Sequence, residues 1–130
     1  MKILILGAGR VGNSLARELV DNGYDVSVVD LDKSALSSLE ENLDIMTVEG
    51  HAAHPISIKK AGADDSTTVI AVTSDDQVNI IGCQIAKRKF KVNKTICRLT
   101  EESYSEDLEI FGEKVIDIVI SPENDVMTHL

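Results

Sequence analysis

The residues best equipped for chemistry come early in the chain. Gly7, Ala8, Gly9, Arg10, Val11 and Gly12 form a G-x-G-x-x-G run directly after the apolar stretch from Lys2 to Leu6. Asp30 lies 18 residues beyond Gly12, at the end of a second apolar stretch from Asp25 to Val29. This spacing suits a phosphate cradle. Gly7 permits a tight strand-to-helix turn, Gly9 keeps a side chain out of the path of a pyrophosphate, and Gly12 lets the helix pack closely on the sheet. The free N–H groups and positive dipole end of that helix then face the phosphates. An acid at the position of Asp30 accepts hydrogen bonds from ribose hydroxyls and repels a 2′-phosphate. The pattern predicts a site for NAD or NADH in preference to NADP. Any adenosine ribose satisfies the same acid, so ATP and ADP stay open. Asp32 adds negative charge nearby, partly offset by Lys33. The competing structural reading, a glycine turn without a ligand, does not require the terminal acid.

The elements that must position these residues can be read from periodicity. Lys2 to Leu6, Asp25 to Val29, Ile45 to Val48, Thr67 to Val72, Thr95 to Leu99 and Val115 to Ile120 are short, near-continuously apolar and β-branched runs. Such runs fit parallel strands covered on both faces. Helical patterns lie between them. The first places Val11, Leu15 and Leu19 on one face. Asp32 to Glu41, Pro55 to Ala61, Asp75 to Arg88 and Glu101 to Phe111 follow. Gly23, Gly62 and Gly112 stand where helix C-caps are expected. The alternation predicts an α/β fold: a doubly wound, parallel, six-stranded Rossmann sheet in the order 3-2-1-4-5-6. No linker or repeat interrupts it.

That topology places the site. Ligands of open α/β sheets bind beyond the carboxyl ends of the strands, at the switch point between strands 1 and 4. The strand ends carry Gly7 to Gly12, Asp30, Gly50 and His51, Thr73 and Ser74 with Asp75, and Arg98. All are expected to converge on one crevice. Arg98 lies in an otherwise apolar strand, and a charge there needs a partner. A phosphate or ribose and a structural carboxylate are the two readings. Arg10 sits in the first helical turn, where a cation is disfavoured by the dipole; it is either solvated or reaches an anion. Ser74 or Asp75 can cap the helix that follows. His51 and His54 lack further ligands at metal-binding spacing, so packing near an adenine edge or solvation in a loop suits them better.

Composition narrows the function classes. The 130 residues allow one domain with a real core. A net charge of −9 with 3% aromatics argues against nucleic-acid partners. No apolar run approaches the roughly 20 residues of a membrane span, so no direct membrane insertion is expected. The N-terminus lacks a signal-peptide pattern, which points to the cytoplasm. Cys83 and Cys97 fall in apolar patterns, as buried free thiols do. No Tyr-x-x-x-Lys pair, G-x-S-x-G or Walker lysine motif is present, and no length remains for a substrate domain. The domain is therefore expected to hold a nucleotide rather than transform a substrate, and to have no catalytic residues. A sensor whose conformational balance shifts with occupancy fits this. The cofactor domain of an NAD-dependent oxidoreductase is the alternative.

The segments KILILGAGRVG, VVD at 28–30, EGHAAHP at 49–55, AGADD at 61–65, AVTSDDQVN at 71–79 and ISPE at 120–123 together carry a resemblance. The chain resembles the KTN, or RCK N-terminal, domains of potassium-transport regulators over essentially its whole length. The GHxxHP variant resembles the Trk-system branch. The resemblance implies a cytosolic domain at the inner face of the membrane. It implies pairing as a homodimer or higher ring beneath a membrane potassium channel or transporter subunit of the TrkH type. NAD(H), ATP or ADP would change the ring and gate potassium flux; a role with a potassium efflux antiporter is a related alternative. It assigns the diphosphate to Gly7 through Gly12, the adenosine ribose to Asp30, the distal nucleotide to Thr73 and Ser74, and a phosphate to Arg98. Arg10 stands where many Trk-branch relatives have Gln, and in members with Arg there it contacts a terminal phosphate. Asp75 to Asn79 corresponds to the approach to a dimer-interface helix. Because such regulators continue into further domains, the resemblance implies that residues 1–130 are one KTN domain of a longer protein, with a crossover helix beginning at Pro122.

Overall fold

The computed structural model describes residues 1–121 and 126–130. The elements run β1 (Lys2–Leu6), α1 (Arg10–Asp21), β2 (Asp25–Asp30), α2 (Lys33–Asn42), β3 (Met46–Glu49), α3 (Pro55–Lys60), β4 (Thr67–Ala71), α4 (Asp76–Phe90), β5 (Lys94–Arg98), α5 (Glu102–Glu106) and β6 (Ile118–Ile120). All strand pairs are parallel, in the order β3-β2-β1-β4-β5-β6. This is the doubly wound arrangement expected from the pattern of apolar runs.

The strands alternate between two cores. Leu4, Leu6, Val69 and Ala71 face Ile58 of α3 and Ile80, Cys83 and Ala86 of α4. Ile3, Ile5, Val26, Val28 and Ile70 face Leu15, Ala16 and Leu19 of α1 and Leu36 and Leu39 of α2. Covering both faces is what lets these strands be apolar at successive positions. Cys83 and Cys97 are both buried and free. A hydrogen bond with Cys97, then burial, pushes the Cys83 thiol well above its usual range.

Two expected elements differ. The helix from Glu101 to Phe111 is instead the short α5 followed by a 3₁₀ turn, Leu108–Phe111. Asp107 leaves the helical region between them, at φ −129° and ψ 43°. The run of Ser103, Ser105 and Asp107 supplies side chains that compete for backbone hydrogen bonds. The last strand is three residues long rather than running from Val115. The Asp117 carboxylate accepts from the Thr95 N–H at 2.8 Å, and the Thr95 hydroxyl donates to the Val115 carbonyl at 2.6 Å. Side-chain bonds there accompany a backbone bond from the Asp117 N–H to the Thr95 carbonyl at 3.2 Å. Helix α4 runs on to Phe90 and ends at Lys91, which takes a left-handed conformation (φ 55°) without a glycine. The helix expected from Pro122 begins on residues outside the described ones; Val126–His129 form a 3₁₀ turn.

Candidate functional site

The register of the sheet builds the site. Leu6 pairs with both Val29 and Ala71, and Ala71 pairs with Cys97. Gly7, Asp30, Val72 and Arg98 therefore leave the sheet side by side. They open onto a cleft of about 560 Å³ lined by Gly7, Gly9, Arg10, Val11, Asp30, Val72, Thr73, Ser74 and Arg98. The cleft lies between β1 and β4, at the switch point.

One wall is the turn from β1 into α1, where each glycine meets a different demand. Gly7 has φ +113°, and a Cβ there would lie 3.0 Å from the Thr73 nitrogen. A Cβ on Gly12 would overlap the Gly7 carbonyl oxygen, so close packing of helix and turn requires its absence. Gly9 is different: it is the N-cap of α1 in an extended conformation, and a Cβ there would meet nothing within 4 Å. The structure itself does not demand glycine at that position, and the space above it is open. No side chain caps α1, and no acid occupies its first turn. Its leading N–H groups and positive end are thus offered to an anion.

Asp30 closes the corner. One carboxylate oxygen accepts from the Ala8 N–H at 2.6 Å and the other from the Asp32 N–H at 2.7 Å. The acid expected to take a ribose also ties the glycine turn to the end of β2. Asp32 is the N-cap of α2, its side chain accepting from the N–H groups of Ser34 and Ala35. Ala8 lines a second, shallower depression of about 550 Å³ on the outer side of α1, with Gly9, Arg10, Asn13, Ser14 and Arg17. Arg10 is exposed and borders both spaces.

The opposite wall belongs to β4, α4 and β5. Asp75, not Ser74, caps α4 by accepting from the N–H groups of Gln77 and Val78. Asp75 is thus occupied, and Arg98 forms no ion pair among the described residues. Arg98 Nη1 donates to the Thr73 carbonyl at 3.4 Å, and its Nε is buried without a partner among the described residues. A buried guanidinium nitrogen left unpaired is costly, and here it borders the cleft. Among the described residues, the structural-carboxylate reading of Arg98 finds no partner.

Gly50 and His51 do not line the cleft. They follow β3, which is separated from β1 by β2, and Gly50 donates its N–H to the Asp30 carbonyl at 3.0 Å. A Cβ on Gly50 would overlap the Ser57 hydroxyl. His51 Nδ1 accepts from the Ala53 N–H at 3.0 Å, and its ring stacks on His54 with centroids 4.4 Å apart. Both histidines shape the turn into α3.

Asn79 is the residue the sequence reading passed over. It is fully buried, and its side chain bonds the Thr73 N–H, hydroxyl and carbonyl and the Arg98 carbonyl. Its signature is a polar residue on the same helical face as Cys83 and Ala86. Asp76 plays a parallel part farther out, accepting from the Thr100 and Glu101 N–H groups at 3.0 and 2.8 Å.

Fold and cleft together define a Rossmann-type domain with a nucleotide-binding architecture. The chain belongs to the TrkA-N domain family, whose sequence profile matches residues 3–122. It is 41% identical over 132 residues to the Trk system potassium uptake protein TrkA of Halomonas elongata, covering 100% of this chain and 29% of that protein. The chain thus spans less than a third of that relative. Among solved structures it is similar to the TrkA-N domain of the inner membrane protein ybaL from Escherichia coli (TM-score 0.81, 19% identity, 98% of this chain and 92% of that one). It is also similar to the GsuK channel bound to NAD (TM-score 0.75, 22% identity, 92% of this chain and 21% of that one); GsuK has been solved with ADP as well.

Proposed function

We propose that this chain is the nucleotide-sensing domain of a regulatory subunit of a potassium-uptake system. It takes NAD or NADH, or in their place ATP or ADP, in the cleft between β1 and β4. The observation that carries the reading is the buried Nε of Arg98, unpaired among the described residues, in a side chain that lines the same cleft as the turn into the uncapped N-terminus of α1. Two independent groups that favour an anion share one space. Gly9 leaves room above the helix end, and Asp30 stands where a ribose would meet it.

In this reading Gly7, Ala8, Gly9, Arg10, Val11 and Gly12 hold the diphosphate, with Arg98 facing it. Thr73 and Ser74 line the distal part, and Asp30 takes the adenosine ribose. Gly50 and His51 support the β3 side from outside the cleft. Bound nucleotide supplies negative charge to Arg98 and hydroxyl donors to Asp30; it undergoes no reaction. Occupancy shifts the balance of a homodimeric or ring assembly that gates a TrkH-like membrane subunit, through differential affinity for two states. Support comes from the family, from the relative's name as a potassium-uptake protein, and from the NAD- and ADP-bound forms of a similarly folded channel. Among the described residues no helix is long and apolar enough to cross a membrane.

Calorimetric titration with NAD, NADH, NADP, ATP and ADP tests this. NAD or NADH binding with weak NADP is the expected outcome. Preference for ATP or ADP would transfer weight to Arg10 and an energy-charge signal. Absence of binding to all five, or steady oxidation of NADH with added acceptors, would sink the sensor reading.

A further inference from the structure

We propose that Asn79 is the positioning residue of the cleft's second wall, holding Thr73 and Arg98 in the places from which they meet a ligand. The inference rests on the nucleotide reading above. It starts from where the sheet comes apart. The paired stretch of β4 and β5 ends with Ala71 opposite Cys97. Past it, the Val72 N–H turns to the Leu6 carbonyl and the Leu99 N–H to the Ile120 carbonyl. These bonds continue the β1–β4 and β5–β6 ladders, while the β4–β5 pairing stops short of Thr73 and Arg98 and leaves a fork there.

Asn79 spans that fork from the first turn of α4. Its Oδ1 accepts from the Thr73 N–H at 2.9 Å and from the Thr73 hydroxyl at 2.6 Å. Its Nδ2 donates to the Thr73 carbonyl at 3.1 Å and to the Arg98 carbonyl at 2.9 Å. A carboxamide has two donor hydrogens and two acceptor lone pairs, so its whole capacity is used. Two of the partners are carbonyls and one is a backbone N–H, which fixes which end of the amide is oxygen. The Thr73 carbonyl that Asn79 engages is also the one that receives Arg98 Nη1. Asn79 does not line the cleft, yet each hydrogen bond of its side chain ends on a residue that does.

A purely structural buried amide would serve stability alone. A positioning residue instead acts through Arg98, and the two roles separate in a double-mutant cycle. NAD and ADP are titrated into wild type, Asn79→Ala, Arg98→Ala and the double variant, with urea melts in parallel. Each single change is expected to weaken binding by roughly tenfold or more. The double variant should fall well short of the product of the two, because coupled residues are not additive. A full product, or wild-type affinity in Asn79→Ala, overturns the proposal. If Asn79→Ala does not fold, the wild-type protein decides: the Asn79 side-chain amide protons should shift in NMR spectra on saturation with NAD, together with Thr73 and Arg98. Unmoved Asn79 resonances overturn the proposal. Wild type that binds neither nucleotide removes the nucleotide reading itself, whereas a bound wild type with additive variants removes only the role of Asn79.

Discussion

The two walls of the cleft are made of different materials. The wall at β1 and α1 consists of backbone and empty space: three glycines, an uncapped helix end and one carboxylate. The wall at β4, α4 and β5 is a side-chain network in which Thr73, Asn79 and Arg98 hold one another across 25 positions of sequence. The first presents main-chain N–H groups and a dipole, which select for negative charge but little else. The second presents a guanidinium and hydroxyls whose placement depends on a single buried amide. A ligand that bridges them reports on both.

Substitutions that break the contrast can be ranked. Gly12→Ala should have the largest effect. Its methyl would overlap the Gly7 carbonyl, so helix and turn must separate, at about 3 kcal/mol of stability and with loss of nucleotide binding. A urea melt and a titration read both; an unchanged melt would show that the turn is looser than its packing indicates. Gly9→Ala sharpens the comparison, because its methyl meets only open space. It should lower stability by less than about 1 kcal/mol, the difference between a glycine and an alanine N-cap, while NAD affinity falls at least ~10-fold. Retained affinity would mean that no phosphate passes over this turn.

Asp30→Ala comes next. It should weaken NAD binding by about 1–3 kcal/mol. Part of that loss reflects the Ala8 and Asp32 N–H groups left without their acceptor. Equal affinity for NAD in the variant would take Asp30 out of the site.

The smallest effect lies away from both walls. Hydrogen bonds from Ser66, first its hydroxyl and then its N–H, and then the bond from Lys2 hold the exposed Asp64 carboxyl well below its usual range. A carboxyl depressed on folding stabilises fully above its unfolded pKa, near 3.9. That contribution is lost as pH falls from there toward the folded value. Asp64→Asn should therefore flatten the acid limb of a thermal-stability profile slightly and leave neutral pH binding unchanged. An identical acid limb in both proteins would show that the bonds from Ser66 and Lys2 to Asp64 carry no net weight.

How much of this was legible in the chain follows from the same contrast. The glycine wall could be read because its residues lie within six positions of one another and its acid at a set distance. The turn, helix and second strand are local consequences of that spacing. Arg98 was legible as an anomaly, a charge inside an apolar run, but not its partner. Asp75, legible as a candidate cap, is taken by the N-terminus of α4. His51 and Gly50 stand at a strand end like the others, but β2 lies between their strand and β1. Asn79 gave only the faint sign of a polar residue on a buried helical face.

Apolar periodicity and turn chemistry, both short-range properties, were sufficient by themselves to determine the six strands, their parallel order and the phosphate-type turn. The helix break at Asp107 and the shortening of β6 were not set by apolar periodicity. The tertiary structure alone decided the register of those strands, which sets Leu6 opposite both Val29 and Ala71. It alone turned Asp75 to the end of α4 and gave Asn79 two chain segments to hold. Hydrogen bonds between residues far apart in sequence depend on how the strands part, and no local pattern encodes where a sheet opens.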